Sequence, residues 1–305
     1  MNQSVTYTFT TVENCDICNS STKNDKVLGK RLNQSQGKNP KSKIGIAVTV
    51  LKCKNCGLLY SNPLPIPANI QDHYNISIEN YWPEDYTKTN PTYFNYEIAK
   101  LKTLMKIDVG MKSLDIGAGV GKSMIALKKV GFDAFGIEAS ESFYNAAIDK
   151  MKIDANQLLK SKIEDAEYPE NTFDFITFGA VLEHLYSPSN SINKAVKWLK
   201  PGGIIHIEVP SSNWLIARFV NLYFRLRGTD YVSNLSPMHA PYHLYEFNLK
   251  SFKEHAQQNN YEIALHEYYV CETFLPKFLD FFLKPIMKWT NTGMQLAIWI
   301  RKKQN

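Results

Sequence analysis

Between residues 112 and 303 the chain alternates two hydrophobic rhythms. Short unbroken apolar runs predict buried strands: KSLDI, AFGIE, FDFITF and IIHIEVP, with a weaker one near LLKSKIED. Stretches apolar at every third or fourth position predict helices between them. These are KSMIALKKVG, ended by Gly131; ESFYNAAIDKM, capped by Ser140; and SINKAVKWLK, stopped by Pro201-Gly202-Gly203. Alternation of this kind implies right-handed crossovers, so the expected fold is α/β, a doubly wound, mostly parallel seven-stranded sheet. YEIALHEYYV and QLAIWIRKK read as a closing pair of strands, which brings an antiparallel C-terminal strand to the edge. FDFITF is apolar enough to be buried on both faces.

The pattern changes before that region. Residues 1–62 hold two cysteine pairs and a basic stretch, and read as a small separate module. Residues 63–100 form a connector rich in proline and tyrosine, from PLPIP to NYWPEDYTKTNPTYF, expected to cover the ligand site. Residues 101–305 carry the alternating pattern.

Composition narrows the class. At 44% hydrophobic and 12% aromatic, 305 residues can bury a substantial core, which excludes a disordered chain. The net charge of +6 is concentrated between the cysteine pairs, where Lys23, Lys26, Lys30, Arg31, Lys38, Lys41, Lys43 and Lys52 face Asp25 alone. That run reads as a solvated loop, with a phosphate-bearing partner as the alternative. The first residues lack a basic region followed by an apolar one, and no apolar run reaches membrane-spanning length, so the expected location is cytoplasmic.

The most informative stretch is Leu114-Asp115-Ile116-Gly117-Ala118-Gly119-Val120-Gly121, between a strand and a helix. Glycines there let the chain turn sharply and let a ligand approach the backbone and the helix-start N–H groups. The spacing is G-x-G-x-G, and Asp115 stands two residues before the first glycine. A carboxylate there repels a pyrophosphate and suits a cation that carries an ammonium and a sulfonium. Glu138, which ends the second strand, can accept bonds from two ribose hydroxyls.

These motifs resemble those of the class I, Rossmann-like S-adenosylmethionine-dependent methyltransferases over roughly residues 95–265. LDIGAGVG is similar to the family's first motif. FGIEAS, with Glu138 and Ala139, is similar to its ribose-binding turn. KIEDAEYPENTFDFITFGAVLEHL and LKPGGIIHIEVP resemble the stretches around the fourth and fifth strands. The resemblance implies that S-adenosylmethionine is the cofactor and that Asp115, Gly117, Ala118, Gly119, Gly121, Glu138 and Ala139 bind it. It further implies that Asp165, with Glu164 as the neighbouring alternative, accepts from the adenine amino group. Ala166 would offer its backbone N–H, and Phe178 and Gly179 would floor the site.

Cys15-Asp16-Ile17-Cys18 and Cys53-Lys54-Asn55-Cys56 form two C-x-x-C pairs. Two such pairs can complete one tetrahedral thiolate site, so a zinc-ribbon-like module with a structural Zn2+ is expected on Cys15, Cys18, Cys53 and Cys56. Gly57 permits the tight turn after the second pair. CKNCGLLYSNPLP also resembles the N-terminal zinc module of methyltransferases from bacterial sugar and polysaccharide pathways. That resemblance implies a small-molecule or glycan acceptor, including nucleotide-linked or lipid-linked sugars.

Candidate bases follow from position. Glu183 and His184 close the fourth strand, at the carboxyl edge where open α/β sheets bind ligands, and His184 reads either as base or as a pocket wall. His243, with Tyr245, is the second candidate, and His239 lies in the same segment. Of the connector tyrosines, Tyr81, Tyr86 and Tyr96 either cover the cofactor or pack between regions. NWLIARFVNLYFRLRG and FLPKFLDFFLKPIMKW are amphipathic and read as core or homodimer contacts, with a peripheral membrane contact as the alternative. Two further functions stand beside the small-molecule enzyme. One is an RNA methyltransferase, disfavoured because the basic loop lacks aromatic residues and no N-P-P-Y-type tetrapeptide follows the fourth strand. The other is a non-catalytic binder of the same cofactor.

Overall fold

The computed structural model describes residues 6–31, 48–69, 86–88, 90–235, 243–271, 273 and 275–304. Tyr81, His239, Lys38, Lys41 and Lys43 lie outside the described residues. The first part of the chain supplies strands β1 (Tyr7–Thr10), β2 (Lys26–Arg31), β3 (Thr49–Lys52), β4 (Leu59–Asn62) and β5 (Leu64–Pro67). Helix α1 (Asn95–Leu104) follows and crosses the boundary expected at residue 100.

The alternating region then runs β6 (Lys112–Ile116), α2 (Lys122–Lys129), β7 (Asp133–Glu138), α3 (Glu141–Asp149), β8 (Leu158–Lys160) and β9 (Phe173–Gly179). It continues with α4 (Pro188–Trp198), β10 (Leu199–Pro210), α5 (Leu215–Leu226), β11 (Tyr231–Val232), β12 (Tyr245–Glu246), α6 (Leu249–Gln258), β13 (Tyr261–Tyr269), α7 (Lys277–Trp289) and β14 (Gln295–Lys302).

Seven strands pair in the order β13-β14-β10-β9-β6-β7-β8. β14 runs antiparallel to both neighbours, and the remaining pairs are parallel. β9 is buried along all but its last residue, as its unbroken apolar run requires of a strand covered on both faces. Ser140 caps α3 by accepting from the Phe143 N–H at 3.4 Å. The expected stop of α4 at Pro201-Gly202-Gly203 is a correction: the helix ends at Trp198 and Leu199 already pairs with Phe173. The proline falls where the register shifts between Leu199 and Ile204, a bulge in which its missing N–H costs no ladder bond.

A second sheet has the order β11-β2-β3-β4-β12. Its outer members come from residues 231–232 and 245–246, so the cysteine-bearing segment is completed by chain far downstream of residue 62. The buried cluster around the cysteines is continuous with Leu114, Phe178 and Ile207 of the large sheet. The reading of the basic stretch as one loop is also corrected: Lys26, Lys30, Arg31 and Lys52 lie on strands β2 and β3. Arg31 is fully buried and donates from Nε to the Leu235 carbonyl at 3.2 Å. Among the described residues, no helix is long and apolar enough to cross a membrane.

Candidate active site and cysteine cluster

The glycine loop joins the carboxyl end of β6 to α2 and adopts backbone that only glycine takes cheaply. Gly117, Gly119 and Gly121 have φ of +71°, +56° and +82°. A Cβ on Gly117 would meet Val181 at 2.4 Å, so that glycine lets the segment after β9 approach the loop. A Cβ on Gly119 would meet nothing closer than 3.9 Å, and its nearest neighbours are Phe143 and the Tyr86 hydroxyl. Space is thus left above Gly119. Tyr86 stands beside that space, edge-on to Phe143 at 5.7 Å, with the Lys122 ammonium 4.3 Å from its ring centre. Tyr96 instead donates to Glu267 at 3.0 Å and packs on Tyr269, away from the loop.

Asp115 is buried at the end of β6, between Gly136 and Thr177 of the neighbouring strands. Burial pushes its carboxyl up to about 7; a hydrogen bond with Ser123 opposes the shift and nearby Glu138 adds to it. Glu138 ties the two cofactor motifs together. Its Oε2 accepts from the Gly119 N–H and its Oε1 from the Ser140 N–H, both at 2.7 Å. A carboxylate oxygen has a second lone pair, so both atoms retain capacity for a ribose hydroxyl. Burial raises Glu138 against those backbone bonds. Ala118 is buried and Ala139 half-buried on the same turns, and Phe178 is fully buried beneath the exposed Gly179. Ala166 is buried, whereas Asp165 is exposed and paired with Lys162 at 3.1 Å. Glu164 is likewise exposed.

Glu183 and His184 lie in a short turn after β9 and meet His243 across it. His184 and His243 rings are 4.8 Å apart, and the Glu183 Oε1 is 4.0 Å from His243 Nε2. Glu183 is almost completely buried, and its Oε2 has no hydrogen-bond partner among the described residues. Burial pushes its carboxyl up to about 8, and the Glu208 carboxylate contributes in the same direction. The chain holds this turn from the far side: the Leu244 N–H donates to the Glu183 carbonyl at 2.8 Å, and Tyr245 donates to the Tyr186 carbonyl at 3.1 Å.

Sequence reasoning missed Glu208. It pairs with Gly179 at the carboxyl edge, and burial beside Glu97 pushes it up to about 7. An acid near the end of the apolar run IIHIEVP was the available signal. His206, on the same strand, is buried between Phe94 and Trp299, and burial pulls it down to about 3, so it is a neutral core residue.

The four paired cysteines come together as the spacing implied. Cys15 and Cys56 sulfurs are 3.6 Å apart, Cys18 and Cys53 sulfurs 3.7 Å, and all four lie within 4.8 Å of one another. Those gaps are too long for disulfides. They match a tetrahedral zinc site, whose bonds of about 2.3 Å space sulfurs about 3.8 Å apart. Gly57 turns the chain after the second pair at φ +77°. Cys271 follows β13, half-buried, and donates to Gln295.

Residues 92–266 match the family described as "Methyltransferase domain". Among curated proteins, the chain is 28% identical over 133 residues to a ubiquinone biosynthesis O-methyltransferase of Azoarcus sp. (strain BH72), covering 42% of this chain and 54% of that protein. It is 31% identical over 134 residues to the protein of the same name from Methylococcus capsulatus, covering 42% and 53%. The chain thus spans about half the length of these relatives. In fold it is similar to Haemonchus contortus phosphoethanolamine N-methyltransferase 2, solved with phosphomonomethylethanolamine and S-adenosylhomocysteine. The TM-score is 0.53 at 17% identity, over 81% of this chain and 62% of that one.

Proposed function

This chain belongs to the methyltransferase-domain family, and we propose that it transfers the methyl group of S-adenosylmethionine to a hydroxyl or amine of a small molecule. The observation that carries this reading is the buried Asp115 beside a glycine loop whose Gly119 N–H is bonded to Glu138. Keeping a buried carboxylate ionised costs folding energy, and a cationic ligand offsets it. When bound, S-adenosylmethionine supplies an electrophilic methyl carbon on a sulfonium.

The protein's own part follows from its groups. Asp115 would hold the ligand's positive charge and Glu138 its ribose; Ala118, Gly121 and Ala139 shape the loop, and the Ala166 N–H, which donates to the Lys162 carbonyl at 3.0 Å, would have to be released to serve the adenine edge. The exposed Asp165 would have to leave Lys162 to reach that edge. Gly179, without a side chain, leaves room above Phe178 for the acceptor. Glu183 is the base of this reading: its Oε2, once uncovered, would take the acceptor proton, and His243 Nε2 lies 4.0 Å from its Oε1. A cation held nearby favours the ionised form of Glu183, so the base is armed when the cofactor site is filled. His184 packs on His243 and fixes its ring.

Cys15, Cys18, Cys53 and Cys56 hold a structural zinc, whose role is to set the sheet that carries Tyr245 against the catalytic turn. The acceptor class is read out by incubating the chain with methyl-labelled cofactor and a panel of phenols, amines and nucleotide- or lipid-linked sugars. Label transfer to one class, lost in Glu183→Gln, supports the reading. Cofactor binding without transfer to any of them, including the glycans, would favour a non-catalytic binder.

A further inference from the structure

Two helices present apolar residues outward, against the usual rule that a surface helix turns its polar face to water. On α7 the stripe is Phe278, Phe281, Phe282, Pro285, Ile286 and Trp289, spaced so that all fall on one face. Phe278 is 70%, Phe281 76% and Trp289 86% exposed, while Met287 on the opposite face is buried. On α5 the stripe is Phe219, Leu222, Tyr223 and Leu226, each at least half exposed. The core reading of these two segments therefore fails for their outer faces.

Both stripes are rimmed by cations. Residues 212–229 contain Arg218, Arg225 and Arg227 and no acid. α7 contains Lys277, Lys284 and Lys288 against Asp280, and Asp280 is engaged by Lys284 at 3.2 Å and by Thr273. Both helices also spring from one place. The Leu215 N–H at the start of α5 donates to the Thr292 carbonyl just after α7, at 3.1 Å, and Pro210 pairs with Gln295. Because β10 runs parallel to β9 and β6, that root is at the carboxyl edge of the sheet, the edge of the glycine loop and Glu183.

We propose that α5 and α7 dock the chain onto an anionic lipid bilayer, with the aromatic stripes inserted at the headgroup level and the lysines and arginines on the phosphates. Phenylalanine with tryptophan and tyrosine at the margins suits that interface, and a basic rim suits acidic headgroups. A second copy of the chain is the poorer occupant, since an isologous contact would set the rim of exposed lysines against itself. This inference concerns binding alone and stands apart from the methyl-transfer reading.

The test is co-sedimentation of the full chain with phosphatidylcholine vesicles, with and without about one-third phosphatidylglycerol. The chain is expected on the anionic vesicles, with a blue-shifted tryptophan emission that Trp289→Phe removes. Phe278→Ser with Phe281→Ser should weaken binding about tenfold or more, and Lys277→Glu with Lys288→Glu should remove the preference for anionic lipid. Circular dichroism checks that the variants fold. Failure of the folded wild type to bind either vesicle overturns the proposal. So does a stable dimer that the phenylalanine substitutions dissociate.

Discussion

Asp16, inside the first cysteine knuckle, accepts the backbone N–H of Ser189 at 2.7 Å and the Ser187 hydroxyl at 2.9 Å. It thereby caps α4 from outside the helix, since Ser187 at the cap position makes no capping bond of its own. Burial raises the Asp16 carboxyl and these two donors hold it down. The cysteine cluster is thus bonded to the segment that follows Glu183 and His184. Asp16→Ala should cost about 1 kcal/mol of stability, as a lost cap does. It should also lower turnover while leaving cofactor affinity nearly unchanged. Chemical denaturation with steady-state kinetics checks both.

Metal content follows from the sulfur geometry. Elemental analysis should find about one zinc per chain. Cys53→Ser with Cys56→Ser should release it and loosen β3 and β4, and with them the Leu244 and Tyr245 contacts to the turn of Glu183 and His184. Protease digestion checks the loosening. A metal-free wild type with an intact sheet would contradict the zinc assignment.

Asp115 makes cofactor binding sensitive to acid. Its carboxyl lies near 7 when free, and a bound cation favours the ionised form. Affinity should therefore be steady above pH 7 and fall, by up to about tenfold per pH unit, below it. The folded protein also binds this proton more tightly than the unfolded chain, so Asp115 lowers stability progressively as pH rises from about 4 towards 7. Asp115→Asn should be more stable than the wild type at pH 8, a gain that thermal unfolding would register.

Glu183 makes turnover rise with pH. Its carboxyl lies near 8 in the free chain and the bound cation favours its ionised form, so kcat should rise with pH and level off below pH 8. Glu183→Gln should lose roughly a hundredfold or more of kcat together with that limb. An unchanged profile in the variant would move the base role to His243 or Glu208.

The parallel sheet was legible because its strands are unbroken apolar runs and its helices carry a clean period. The turn at Gly117 was legible because a glycine-rich segment separates an apolar run from a helical period, and Glu138 was legible as the end of the next apolar run. The four cysteines were legible from spacing alone. Glu208 was not, since one acid in an apolar strand gives no hint of which edge it reaches. Nor were β11 and β12, two-residue strands with no period to detect, which pair with segments far away in sequence. The extent of β10 was misjudged because Pro201-Gly202-Gly203 signals a break, yet a bulge absorbs it within the strand. The outer stripes of α5 and α7 carry the same period as a core face, and only their exposure separates the two.

The most direct test of the central claim is calorimetric titration of the purified chain with S-adenosylmethionine, with NAD as control and Asp115→Asn alongside. The account predicts binding of the sulfonium ligand alone at about one site per chain, lost in the variant while its fold is kept. Preference for NAD, or equal affinity for S-adenosylmethionine in the wild type and Asp115→Asn, would contradict it.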